Sequence, residues 1–142
     1  MRILVAWDDP KEAEVLRLYL SVGDNQVEVV QTGEALLAQS RSGAWDVVLL
    51  ALTFPAGAGE VFGLFQQVRQ TLAAVPVVLA CRPGEMIHLP RFLNHGLRFH
   101  IVRDDPGNFV FLVLSSLEAA VAAVRAENSQ KQWEKLRNYL SE

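Results

Sequence analysis

The 142-residue chain has a single cysteine, Cys81, so no disulfide can form within it, and a reducing cytoplasm is the simplest compartment for such a chain. It has no excess of positive charge. Thirteen Lys and Arg stand against sixteen Asp and Glu, for a net charge of −3, which argues against a nucleic-acid-binding surface. No apolar run approaches the roughly 20 residues of a membrane span. The most apolar tract, 109–124, is interrupted by Ser115, Ser116 and Glu118. The early apolar run, residues 3–7, falls short of the roughly 7–15 residues of a secretory signal core. Several catalytic signatures are missing as well. There is no Gly-x-Ser-x-Gly elbow and no phosphate-binding loop of the P-loop type. His88, His95 and His100 show no zinc-ligand spacing with the one cysteine. Neither an enzyme nor a metal protein is indicated, and no cofactor is expected.

What the chain does have is apolar content, 51% of residues, enough for a core at single-domain length. Four short apolar runs read as strands: "RILVAW" (2–7), "WDVVLLA" (45–51), "PVVLAC" (76–81) and "RFHIV" (98–102). A fifth, "QVEVVQT" (26–32), alternates apolar and polar and reads as an edge strand. Helical patterns separate them. The first follows Asp9 as N-cap and has Pro10 just inside its start. The pattern after the fourth strand contains Pro90 and is therefore short or kinked. The last helix starts near Pro106 and runs to the end. A βαβαβαβαβα order with one helix per crossover predicts a parallel sheet with helices on both faces.

Specific residues then sharpen the order of elements. "ILVAWDDP" is a strand that ends in acids and a proline. "DVVLLALTFPAGAG" is a buried strand followed by a loop with Pro55, Gly57 and Gly59. "PVVLAC" and "GLRFHIVRDD" complete the set. Over residues 2 to about 124 the chain resembles a response-regulator receiver domain, the phosphoacceptor module of two-component signalling. The resemblance implies an α/β, flavodoxin-like, doubly wound sheet of five parallel strands in the order 2-1-3-4-5. It also implies a site at the carboxyl ends of the strands. There an aspartate takes a phosphoryl group, acids hold magnesium, and a lysine and a hydroxyl bind the phosphoryl oxygens.

Position by position, most of that chemistry is gone. Ala51 stands at the phosphoacceptor place, and a methyl group cannot accept a phosphoryl group. Trp7 replaces the first acid of the cluster, Asp8 matches the second, and Asp9 follows. Cys81 stands at the Ser/Thr place, Arg103 at the Lys place, and His100 at the aromatic switch position. Arg is no neutral swap for a compact point charge. The chain thus reads as a pseudo-receiver with a degenerate phosphorylation site. Trp7 is expected to pack over Ala51 and fill the emptied pocket. Arg103 is expected to turn toward Asp8, and Asp9 to cap the first helix. Cys81 reads as a small buried residue, unless Arg82 and Arg103 lie close enough to lower its pKa.

The last helix is longer than this fold requires. From 108 to 140 it would span roughly 50 Å. Its first part is apolar nearly all round. Leu117, Val121, Val124, Asn128, Trp133, Leu136 and Leu140 form a heptad-like seam with one irregular step. The expected organisation is therefore a receiver-like domain, 1–124, and a helical extension, 125–142, that forms a parallel homodimer and leads to an output domain. The expected function is phosphorylation-independent signalling through protein–protein contact, with no nucleic-acid or membrane partner. The alternative is an anion or small-molecule sensor in the pocket at the strand ends, with Arg82 and Arg103 as ligand-holding groups.

Overall fold

The computed structural model describes residues 1–55 and 58–141; Gly57 lies outside them. Two stretches are apolar at every position, and each becomes a strand whose residues are all buried: β3 (Val47–Ala51) and β4 (Val77–Cys81). Strands covered on both faces belong at the centre of a parallel sheet. β1 (Arg2–Ala6) pairs with β3 on one side and with β2 (Gln26–Val30) on the other, all parallel. β5 (Phe99–Val102) closes the far edge against β4. The order is β2-β1-β3-β4-β5, the doubly wound arrangement expected. β2 alternates exposed and half-buried residues, as its edge position requires.

Helices make the four crossovers, and with the last helix, which follows β5, they cover both faces. α1 (Pro10–Leu20) lies beside α5 (Val110–Ser141) on one face, and α2 (Gly33–Ser42) beside α3 (Ala58–Thr71) on the other. The segment after β4 breaks in two at its proline, as expected. A 3₁₀ turn, Pro83–His88, leads into the one-turn α4 (Leu89–Leu93). Phe92 of α4 packs edge-on against Phe62 and Phe65 of α3, each at 5.3 Å between ring centroids. Those contacts seat α4 on the α3 side of the sheet.

The strands are one or two residues shorter than the sequence expectation, and two of the shifted boundaries have a clear local cause. β2 stops at Val30 because Thr32 serves as N-cap of α2, its Oγ1 accepting from the Ala35 N–H at 3.1 Å. α5 begins at Val110 and not near Pro106. Residues 104–109 form a turn in which Gly107 takes φ +79° and Asp104 Oδ1 accepts from the Phe109 N–H at 2.8 Å. That carboxylate partners an N–H the helix leaves free.

α5 also corrects the seam. Leu117 and Val121 are buried in the chain's own core and so are closed to a partner, while Asn128, Trp133, Leu136 and Leu140 are exposed. The irregular step, five residues from Asn128 to Trp133, turns the stripe by about 140° at 3.6 residues per turn. The two halves of the expected seam therefore lie on different faces of one helix. As expected, α5 continues unbroken past 124, and there it still meets the body: Arg125 Nη2 lies 3.4 Å from Asp46 Oδ1, and Arg98 Nη1 donates to Glu127 Oε2 at 2.8 Å. Among the described residues no helix is long and apolar enough to cross a membrane. As a core residue with no exposure, Leu117 sets a test. Leu117→Ala should lower unfolding free energy by about 2–5 kcal/mol in a urea titration, whereas a seam residue would leave the monomer's stability nearly unchanged.

Candidate functional site

The site at the carboxyl ends of the strands starts with the way β1 ends. The Trp7 N–H still donates to Val30 O, at 3.2 Å, which holds Trp7 level with the sheet. One step along the β1–β3 register from Ala6↔Leu50 sets Trp7 level with Ala51. Asp9 then caps α1 as expected, its Oδ1 accepting from the N–H groups of Lys11 and Glu12 at 3.0 and 3.2 Å. That cap fixes the first turn of α1 and brings the Glu12 side chain back over the strand end.

Across the sheet, the Arg103 N–H donates to Cys81 O at 2.7 Å, so the β4–β5 ladder delivers Arg103 one residue past Val102. Its side chain is 1% exposed. Burying a guanidinium is costly unless it is paired and hydrogen-bonded, and here it is both. Arg103 Nε donates to Glu12 Oε1 at 2.7 Å, and Nη2 lies 2.6 Å from the same oxygen. Nη2 is also 2.9 Å from Asp8 Oδ1, an ion contact not aligned along an N–H bond. The Thr53 hydroxyl donates to Asp8 Oδ2, and Nη1 approaches Thr53 Oγ1 at 3.5 Å. The guanidinium carbon stands 4.4 Å over the Trp7 ring, within cation–π range.

Trp7 is fully buried. Its Nε1–H donates to Glu12 Oε1 at 2.8 Å, and its ring stacks on Phe109 at 6.0 Å with 22° between planes. The ring therefore fills the corner, held by Phe109, Arg103 and Glu12. Ala51 and Cys81 end their strands with no exposure. Asp9 is occupied by the cap, and His100 is exposed on β5, outside the cluster. The structure thus gathers Trp7, Asp8 and Arg103, and adds Glu12, Thr53 and Phe109, which sequence reading missed. Glu12 had a signal: Asp9 and Glu12 have the N-cap to N3 spacing of a capping box. Thr53 and Phe109 had none, since only the fold brings their loops together.

Electrostatics follow from the packing. Burial alone would raise the Asp8 pKa. The Thr53 hydrogen bond and the Arg103 guanidinium pressed against the carboxylate prevail, and hold it below the ordinary aspartate value. Burial pushes the Cys81 thiol up to about 11, helped by the negative charge of Glu85, so neighbouring arginines do not activate it. Magnesium takes several oxygen ligands in near-octahedral geometry. Asp8 and Glu12 are already engaged with a cation of the chain's own, and among the described residues no group of three His, Cys, Asp or Glu converges. The donor set does not fit that ion. An anion has no better prospect at Arg103, whose side chain is shielded from solvent. Arg82 is half-buried, and its backbone N–H donates to Glu85 Oε1 at 2.7 Å.

The architecture has clear counterparts among solved structures. The chain is similar to an adenylate cyclase from Rhodopirellula baltica, at 18% identity over 94% of this chain and 96% of that one, with a TM-score of 0.77. It is similar to a CheY-like response regulator receiver domain protein from Methanospirillum hungatei JF-1, at 18% identity, 89% and 97% coverage and TM-score 0.75. It is also similar to the phosphorylated cyanobacterial phytochrome response regulator RcpA, at 17% identity, 82% and 90% coverage and TM-score 0.70. No family model and no curated protein matches the sequence. The fold is that of CheY-like receiver domains.

Two measurements test the site. Arg103→Ala leaves two carboxylates without their cation and should cost about 3–5 kcal/mol of stability, the range for breaking a buried pair. A loss near zero in denaturant titration would show that the cluster is not closed. Asp8 has a folded-state pKa below its unfolded value, so its contribution is present above about pH 3.9 and is lost as pH falls through the folded pKa. The acid limb of the stability curve should therefore be shallower in Asp8→Asn than in the wild type.

Proposed function

We propose that this chain is a pseudo-receiver, a signalling module with the receiver fold that works through protein contact and not through phosphotransfer. One observation carries the reading: the Arg103 guanidinium, buried and clasped by Asp8 and Glu12. In a receiver of ordinary chemistry, that corner would hold a metal ion and an incoming phosphoryl group beside an acceptor carboxylate. Here an internal cation has taken the carboxylates, an indole has taken the space, and a methyl group ends the central strand. The corner is chemically closed and structurally braced. Such a module keeps the fold's surfaces for partners while its state no longer depends on a phosphodonor.

Incubation with acetyl phosphate and magnesium, followed by intact-mass measurement, should show no phosphoryl adduct, and calorimetry should show no tight magnesium binding. A stoichiometric adduct on Asp8 or Asp9 would overturn the reading. Ala51→Asp places a third carboxylate at this corner, where like charges raise each other's pKa. It should lower stability without restoring phosphorylation.

A further inference from the structure

The C-terminal helix carries two opposite faces, and only one is used by this chain. On the inner face Val113, Leu117, Ala120 and Val121 are buried in the core. Past 124 the same face turns polar, with Glu127, Lys131 and Glu134. The outer face behaves differently. Taking Leu112 as heptad position a, that position recurs as Ala119, Ala126, Trp133 and Leu140, each seven residues on. Position d, three residues after each a, is Ser115, Ala122, Ser129 and Leu136. The 3–4 spacing runs unbroken from 112 to 140, about 42 Å at 1.5 Å per residue. No charged residue falls on it, and every residue on it is exposed. Its large members are bare: Leu112 is 66% exposed, Trp133 67% and Leu140 74%.

A monomer gives no reason to keep charge off one exposed stripe for eight turns while the opposite face becomes charged as soon as it leaves the body. A heptad pattern of apolar and small residues is what one helix presents to another of the same kind. We propose that the occupant is a second copy of this chain, in a parallel two-stranded coiled coil along the 112–140 seam. The seam is self-complementary in parallel register, since each a or d layer then meets itself. The flanking positions agree. Pairing position g of one helix with the following e of the other sets Glu118 against Ala123, Arg125 against Gln130 and Gln132 against Arg137, with no like charges opposed. Ala and Ser in the middle layers permit close approach of the two backbones.

The body extends the same surface. Phe111, at the g position beside Leu112, meets the Tyr19 ring edge-on at 5.1 Å. Leu18 and Tyr19 of α1, and Val22 in the turn that follows it, are exposed on the same side. Together with the seam, these side chains widen the apolar surface beyond the helix itself, toward the roughly 800 Å² per partner that a standard stable interface buries. The contact runs along the α1–α5 side of the molecule, and both helices leave the bodies in the same direction. The assembly stands on the helix alone; only its meaning as a signalling dimer rests on the pseudo-receiver reading.

Light scattering on the full chain at micromolar concentration should give twice the chain mass. Ala122→Glu with Ala126→Glu, both at sites exposed in the monomer, should halve that mass and leave the circular dichroism of the folded body unchanged. Asn128→Glu on the opposite face should keep the dimer. For the direction, Ser115→Cys and Ser129→Cys should each form disulfide-linked dimers on mild oxidation, Cys81 being buried. A wild-type monomer, a trimer, a dimer indifferent to the glutamates, or failure of both cysteines to cross-link would each overturn the proposal. None of these readouts depends on whether the chain accepts a phosphoryl group, so the two readings fail separately.

Discussion

One buried guanidinium organises the functional end of this molecule. Arg103 is held in place by the β4–β5 ladder and cannot reach solvent, so its charge must be answered within the chain. Glu12 and Asp8 answer it from two different elements, the first turn of α1 and the end of β1. The Trp7 ring lies beneath the guanidinium, and its indole N–H shares the Glu12 oxygen that Arg103 uses. Each member is satisfied only while the others stay. Remove the cation and two carboxylates lose their partner. Remove Glu12 and both a guanidinium and an indole lose their main acceptor. This mutual dependence makes the corner a part of the core.

The fold was legible because its signals are local. Unbroken apolar strands at 47–51 and 77–81, an alternating edge strand, and the Asp9–Pro10 start of α1 need no tertiary information. The chemistry of one position was equally plain, since a methyl at 51 excludes acyl phosphate there wherever the side chain points. What the sequence could not show was who would meet whom. Arg103 toward Asp8 was readable from their two strand ends. Glu12 as the principal partner depends on the curl of one helical turn, and Phe109 on a turn that ends in a capping aspartate. Trp7 as the filler of this corner was readable as well; its stack on Phe109 was not, because that is set by where α5 starts.

The long helix teaches a related lesson. Near the body it is apolar nearly all round, so any chosen stripe finds hydrophobic residues on it. Following Leu117, Val121 and Val124 leads into the core, and the five-residue step to Trp133 marks the change of face. Exposure separates the two stripes where composition cannot. The core stripe ends when the sheet ends, whereas the outer stripe continues in step, indifferent to the body it has left.

The place where α5 leaves the sheet has a mechanical consequence. On one flank Arg125 reaches Asp46 ahead of β3, and on the other Glu127 meets Arg98 ahead of β5. These two exposed pairs straddle the helix like stays on a mast, and exposed pairs yield readily to salt and to competing partners. Past them some fourteen residues carry the helix on for about 21 Å. The helix is then a lever whose fulcrum lies between Asp46 and Arg98. A tilt of about 10° at that point carries its tip by roughly 4 Å, given a rise of 1.5 Å per residue.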